Sequence, residues 1–323
     1  MLLLPSSKSP TRFLVQYLCL AAARANGGRH ESPRPCKVVP GDTDWPSQRS
    51  WARFNESLGG GLLQPAPAGA VCHPGQRTYD PDECPAVTEA WSTYDFHSAH
   101  PSSVDWGQFS NGSCLPNPSY PCDSSGYPAF VVNATEVEHV QRAVNFGEFR
   151  RCSPRLLIAE SLTNTNMGPA RKNNVRLIVK ASGHDYLGRS IAPNSLSIWT
   201  HHMKAIEYHK RSFTPEGCWW PIRGNAVTAQ AGAQMIDLYQ YLDAHNETVV
   251  GGGSRSVGVG GYLTGAGHSM LSSRNGLAAD QVLEMEVVTP NGKHIVANEC
   301  QNEDVFWAMR GVSSYTSSQS IPD

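Results

Sequence analysis

Eight of the seventeen residues from Gly251 to Gly267 are glycine. Such density permits sharp backbone turns and lets successive N–H groups converge on one anion, a pyrophosphate for example. The same density also serves a purely structural turn, so composition alone leaves both readings open. Two nucleotide motifs are excluded. Gly258-Val-Gly260 is followed at position 263 by leucine, not by the third glycine of the dinucleotide fingerprint, and the strand–Gly–helix context is missing. No Gly-Lys-Ser/Thr is present, so the segment is not a P-loop.

A second segment follows the apolar strand Val175 to Val179: Lys180-Ala-Ser-Gly-His-Asp-Tyr-Leu-Gly-Arg-Ser190. His184 stands between Gly183, where the chain can bend sharply, and Asp185, whose carboxylate can orient an imidazole. By itself a histidine after a strand is more often structural.

The rest of the chain gives an α+β class. Pro128–Val132 reads as a short β-like run, and Thr135-x-x-Glu138 as a capping box opening a helix with Val137, Val140 and Val144 on one face. Further strands are expected at 196–199, 227–231 and 282–289. A helix is expected over 233–244, and Pro290-Asn291-Gly292-Lys293 marks a hairpin turn. Residues 147–169 match neither period. Ala170–Asn174 looks like the polar end of the preceding helix, so 147–169 reads as an insertion, with a surface loop as the alternative.

Lys8, Arg12, the apolar run Phe13–Ala23 and Ala23-Arg24-Ala25 together look like a secretory signal peptide over 1–25. The run is too short to span a bilayer, and a mis-assigned start followed by a buried helix is the alternative. Export suits the nine cysteines, five of which fall between Cys36 and Cys122, and the sequons at Asn55, Asn111, Asn133 and Asn246. Residues 26–124 read as an irregular, Pro- and Gly-rich segment stapled by disulfides, with Cys114 and Cys122 able to close a small loop. No cysteine pair has zinc-ligand spacing, so no metal is expected. A net charge of −2 provides no basic field for nucleic acid, and no further apolar run is long enough for a membrane span.

The two glycine-bearing segments lie about 70 residues apart. Ala279-Asp280-x-Val-Leu-Glu-x-Glu and Asn302-Glu-Asp-Val-Phe-Trp-Ala-Met-Arg-Gly311 follow in order. This series resembles the PCMH-type FAD-binding domain of the vanillyl-alcohol oxidase and berberine-bridge-enzyme superfamily. Cys36–Pro46, Val132-Asn-Ala-Thr135 and Ser197-Ile-Trp-Thr-His201 are similar to its fungal isoamyl-alcohol-oxidase-like branch. The resemblance covers 36–146 and 170–311.

It implies a fold of two α/β subdomains over 125–311, with a polar, unstructured tail at 312–323 and the C-terminal substrate domain missing. It also implies FAD bound covalently through His184. Ser182, Gly183, Asp185, Tyr186, Gly188 and Arg189 would line the pyrophosphate and ring edge. Gly253, Ser254, Val257, Gly258, Gly260, Gly261, Thr264, Gly265, Gly267 and His268 would run along the cofactor, with Val288 completing the set. Ser254 occupies the place of the cysteine that makes a second flavin bond in bicovalent relatives, so a single bond is expected. Val257 falls where relatives gate oxygen, which favours an oxidase using O2. The expected substrate is a small alcohol or secondary metabolite, and no catalytic base is assigned. Alternatives on the same fold are an oxidative cyclase, a carbohydrate oxidase or an inactive FAD-binding fragment. A module binding another nucleotide is the remaining reading.

Overall fold

The helix α1 (Gln48–Ser57) forms because Ser47 caps it, its Oγ accepting from Ser50 N–H at 3.2 Å, and because Trp51, Phe54 and Leu58 fall on one face. The computed structural model that places it describes residues 36–147 and 173–311. The expected leader, the tail 312–323 and, apart from Gly147, the expected insertion lie outside the described residues.

After α1 come β1 (Leu62–Leu63), two short helices, α2 (Cys84–Ala90) and α3 (Tyr94–Ala99), and then β2 (Phe130–Asn133). Helix α4 (Val137–Gly147), β3 (Leu177–Lys180) and β4 (Leu196–Trp199) complete the first subdomain. The sheet order is β1-β2-β4-β3. The β2–β4 and β3–β4 pairs are parallel, with Phe130 and Leu177 both opposite Leu196, and β1 runs antiparallel to β2. All four residues of β4 are buried, as befits a strand covered on both faces. Val38 extends the β3 edge through a bridge to Val175.

Helices α1 and α4 close over this sheet. Trp51 stacks on Phe130 at 4.1 Å between centroids, and Phe54 on Phe146 at 4.1 Å. Val132, Val144, Leu196 and Ile198 fill the core between them. The irregular reading of 26–124 is therefore corrected where it is described. Its Pro and Gly content masked a ten-residue helix whose cap and apolar face were both present. The capping box is corrected too: Thr135 N–H and Oγ1 bond His139 Nδ1 at 3.4 and 3.3 Å instead of pairing with Glu138.

The second subdomain begins with β5 (Ile206–His209), β6 (Ser212–Phe213), β7 (Ile222–Arg223) and β8 (Ala226–Ala229). Strands β5 and β8 pair antiparallel, as do β6 and β7. The amphipathic α5 (Met235–Asp243) packs Met235 and Leu238 against Ile206, Val227 and Ala229. Next come α6 (Val259–Thr264) and the hairpin of β9 (Glu284–Val288) with β10 (His294–Asn298). The hairpin turns at Gly292, whose φ of +75° suits glycine. Strand β8, helix α5 and the β9–β10 hairpin match the sequence-based expectations to within a few residues at each end, whereas β5, β6, β7 and α6 have no counterpart in the sequence analysis.

Among the described residues three disulfides are present: Cys72–Cys84, Cys114–Cys122 and Cys218–Cys300. The last joins residues 82 apart and fastens the tip between β6 and β7 to the end of β10. Chain-entropy arguments make its loss about 2 kcal/mol more costly than loss of the eight-residue Cys114–Cys122 link. Urea midpoints of the two Cys→Ser double variants are expected in that order. No helix among the described residues is long and apolar enough to cross a membrane.

Candidate functional site

The loop leaving β3 carries the histidine motif. Gly183 has φ of +91°, and a Cβ there would lie 3.3 Å from Val104 Cα, so the motif turns against the 101–106 segment. His184 then reaches two partners. Its Nδ1 lies 3.1 Å from Asp105 Oδ2, and its Nε2 lies 2.8 Å from Ser256 Oγ. Ser256 belongs to the glycine-rich segment, so the two motifs meet at the imidazole. A second link reinforces the junction: Gly258 N–H donates to Ser182 Oγ at 3.1 Å. A Cβ on Gly258 would fall 3.0 Å from Ala181 Cβ, so glycine allows this approach.

Behind the histidine lies a buried charge cluster. Lys180 closes β3 at 1% exposure. Its Nζ donates to the carbonyls of His97, Ser98 and His100 at 3.1, 3.3 and 2.9 Å. These carbonyls end α3, where helix geometry leaves acceptors unpaired and the dipole favours a cation. Burial lowers the lysine to about 7, against the pull of Asp105. Burial likewise raises Asp105 to about 7, with Lys180 opposing. The Asp105 side chain is 1% exposed. Its contact with His184 is off the N–H axis, and neither oxygen has an aligned donor among the described residues. Burial also holds His184 below the ordinary histidine range, with Asp95 opposing and His97 and Lys180 reinforcing. The imidazole is thus neutral at pH 7, the form with a nucleophilic nitrogen.

Asp185 and Arg189 pair with each other, the Arg189 Nε lying 3.0 Å from both carboxylate oxygens. Burial raises the Asp185 carboxyl, but these bonds and the guanidinium charge outweigh it and leave the group below its usual range. The Tyr186 ring is exposed and rests on Trp106 at 5.0 Å. Gly188, at φ of +72°, lies under the Phe109 ring, where no Cβ would fit.

The glycine segment divides by role. Gly253 and Gly261 face open space, with nothing within 4 Å of an added Cβ. Gly260 and Gly267 instead admit close packing, on Ala231 and on Tyr262 with Ala278. A helix does open here, since Gly258 caps α6; the sequence reading had found no such context. Gly265 ends α6, and Thr264 Oγ1 bonds back to the Gly260 carbonyl at 3.1 Å. Val257 is partly buried against the second core, Ser254 is half-buried and His268 is exposed. Val288 stands apart from this group, on β9 against the Trp51–Phe54 core.

The arrangement leaves room for a large ligand beside the imidazole. It offers a neutral, partly exposed imidazole, a buried carboxylate lacking aligned donors, and glycine surfaces open to a ligand. The sequence reading missed Asp105, Ser256 and Lys180. Asp105 carries no local signal, because it lies in a turn 79 residues before the histidine. Lys180 had one, a lone cation closing the apolar run Leu177–Val179. No cluster of metal-ligating side chains is found among the described residues.

Comparison with known proteins identifies the cofactor class as FAD. The family described as FAD binding domain matches residues 165–298. A VAO-type flavoprotein oxidase, VAO615, of Thermothelomyces thermophilus is 37% identical over 306 residues, covering 92% of this chain and 48% of the relative. The FAD-linked oxidoreductase patO of Aspergillus clavatus is 37% identical over 282 residues, 85% of this chain and 43% of its own length. The crystal structure of VAO-type flavoprotein MtVAO615 from Myceliophthora thermophila superposes with a TM-score of 0.72 at 37% identity, covering 86% of this chain and 46% of that one. The chain spans about half the length of the curated relatives it matches. Through this FAD-binding domain the chain belongs to the VAO-type flavoprotein family of FAD-linked oxidoreductases.

Proposed function

We propose that the chain binds FAD through a single covalent bond to His184 and serves an oxidase acting on a small alcohol or secondary metabolite. The observation that carries this reading is the neutral imidazole at the junction of the two glycine-bearing segments. Bound FAD supplies a hydride acceptor that passes its electrons on to O2. The chain's own residues do the rest. Ser256 holds the His184 ring by a hydrogen bond and Asp105 flanks it, while the Asp185–Arg189 pair braces the loop. Gly253 and Gly261 leave room for the cofactor. Ser254 has no thiol for a second bond, and the small Val257 supports O2 as the acceptor. Acid precipitation of the purified protein tests the reading. A yellow pellet is expected, and a colourless pellet contradicts it.

Export is part of the same proposal, and the three disulfides are compatible with it. Glycan occupancy should then follow geometry. Asn246 and Asn111 are exposed at turns. Asn55 Oδ1 accepts from Leu62 N–H at 3.0 Å, and Asn133 Oδ1 lies 2.6 Å from His202 Nδ1. Glycopeptide mass spectrometry is expected to find Asn246 and Asn111 occupied well above Asn55 and Asn133.

A further inference from the structure

We infer that Asp105 is the positioning residue of His184: its carboxylate lies against the imidazole at Nδ1 and takes up the proton the ring loses when flavin becomes bonded to it. The inference rests on the reading of His184 as the attachment point.

The geometry singles out Asp105 among the groups around the ring. Ser256 Oγ, at 2.8 Å from Nε2, is a hydroxyl and a poor base. Lys180 directs its Nζ to three carbonyls. Both nitrogens of the His97 ring are engaged, Nδ1 with Ser103 Oγ and Nε2 with the Trp91 carbonyl, each at 2.7 Å. Asp95 is exposed and lies 3.6 Å from Arg255. Asp105 alone in this set pairs a 3.1 Å approach to the ring with two buried oxygens that no aligned donor satisfies. A buried carboxylate without donors is costly to keep, and it gains by accepting a proton. Its backbone helps to hold it there, since Asp105 N–H points to the Gly183 carbonyl at 3.5 Å.

The balance of the attachment requires such an acceptor. Forming the bond between an imidazole nitrogen and the flavin 8α carbon removes one hydrogen from the methyl group and one from the imidazole. Two electrons stay on the flavin, and dioxygen takes them with two protons as H2O2. The ring proton leaves through the Asp105 carboxylate, which burial has tuned close to neutrality while Lys180 keeps it from rising further.

The test uses the full chain prepared free of flavin and incubated with FAD across pH 5.5 to 9. Binding is followed by quenching of flavin fluorescence, and attachment by flavin retained in the acid-precipitated protein. For the wild type, the attachment rate is expected to rise through about pH 7 and then level. Asp105→Asn is expected to bind FAD yet attach it at least tenfold more slowly, at a rate that keeps climbing with pH. Asp105→Glu, which restores an acid, is expected to be faster than Asp105→Asn. Attachment by Asp105→Asn within twofold of wild type at every pH overturns the inference. So does equal slowness of the Asn and Glu variants when both bind FAD. A wild type that never attaches flavin instead removes the reading of His184 beneath it.

Discussion

His184→Ala is expected to move all flavin from the acid pellet to the supernatant while leaving FAD binding largely intact. Binding survives because the surfaces at Gly253 and Gly261 do not depend on the imidazole. The cost falls on redox chemistry. The attached imidazole, on the family reading, raises the flavin potential. Each 30 mV lost from a two-electron couple is about 1.4 kcal/mol, or tenfold in the hydride equilibrium. The variant is therefore expected to lose at least about 30 mV in a dye-equilibration titration, and substrate reduction of its flavin to slow roughly tenfold or more. Unchanged flavin in the pellet would refute attachment at this residue.

Lys180→Met should have the largest effect on stability. The substitution leaves three carbonyls at the end of α3, two of them buried, without their donor and leaves Asp105 without a neighbouring cation. Stranding buried acceptors and a buried carboxyl together costs about 3–5 kcal/mol. The penalty should also depend on pH. Burial depresses Lys180 in the folded protein to about 7 from 10.5, so its contribution is full above the unfolded value and is lost as pH falls through about 7. Asp105 is raised to about 7 from 3.8, so stability tied to its protonated form is lost as pH rises through about 7. Removing Lys180 raises that carboxyl further and so worsens the loss on the alkaline side. Both groups make the deficit of Lys180→Met grow as pH rises from about 7 towards 10. Urea unfolding at pH 7 and pH 9 reads this directly. A deficit below about 1 kcal/mol, or one that shrinks with pH, contradicts the account.

Much of this architecture is legible where the signal is local. The strand at Phe130–Asn133, the helix Met235–Asp243 and the Asn-Gly hairpin follow from periodicity and turn chemistry. The meeting of the two motifs at His184 was legible only through the resemblance, since spacing alone cannot bring residues 184 and 256 together. Asp105 was not legible at all. Its role arises from a turn docking under Gly183, a contact with no sequence pattern. The Cys218–Cys300 pairing was equally hidden, because nine cysteines permit many partners. The helix Gln48–Ser57 is a different case. Ser47 and the Trp51–Phe54–Leu58 stripe announced it, and the surrounding prolines and glycines drew the reading towards irregular structure.

The central claim is that FAD is bonded to His184. Proteolysis of the purified wild-type chain, followed by mass spectrometry of the flavin-bearing peptide, tests it most directly. The account predicts one flavin per chain, on the peptide containing His184 and with fragment ions that place it on that residue. Flavin on another residue, or no flavin-bearing peptide from a protein that binds FAD, would contradict it.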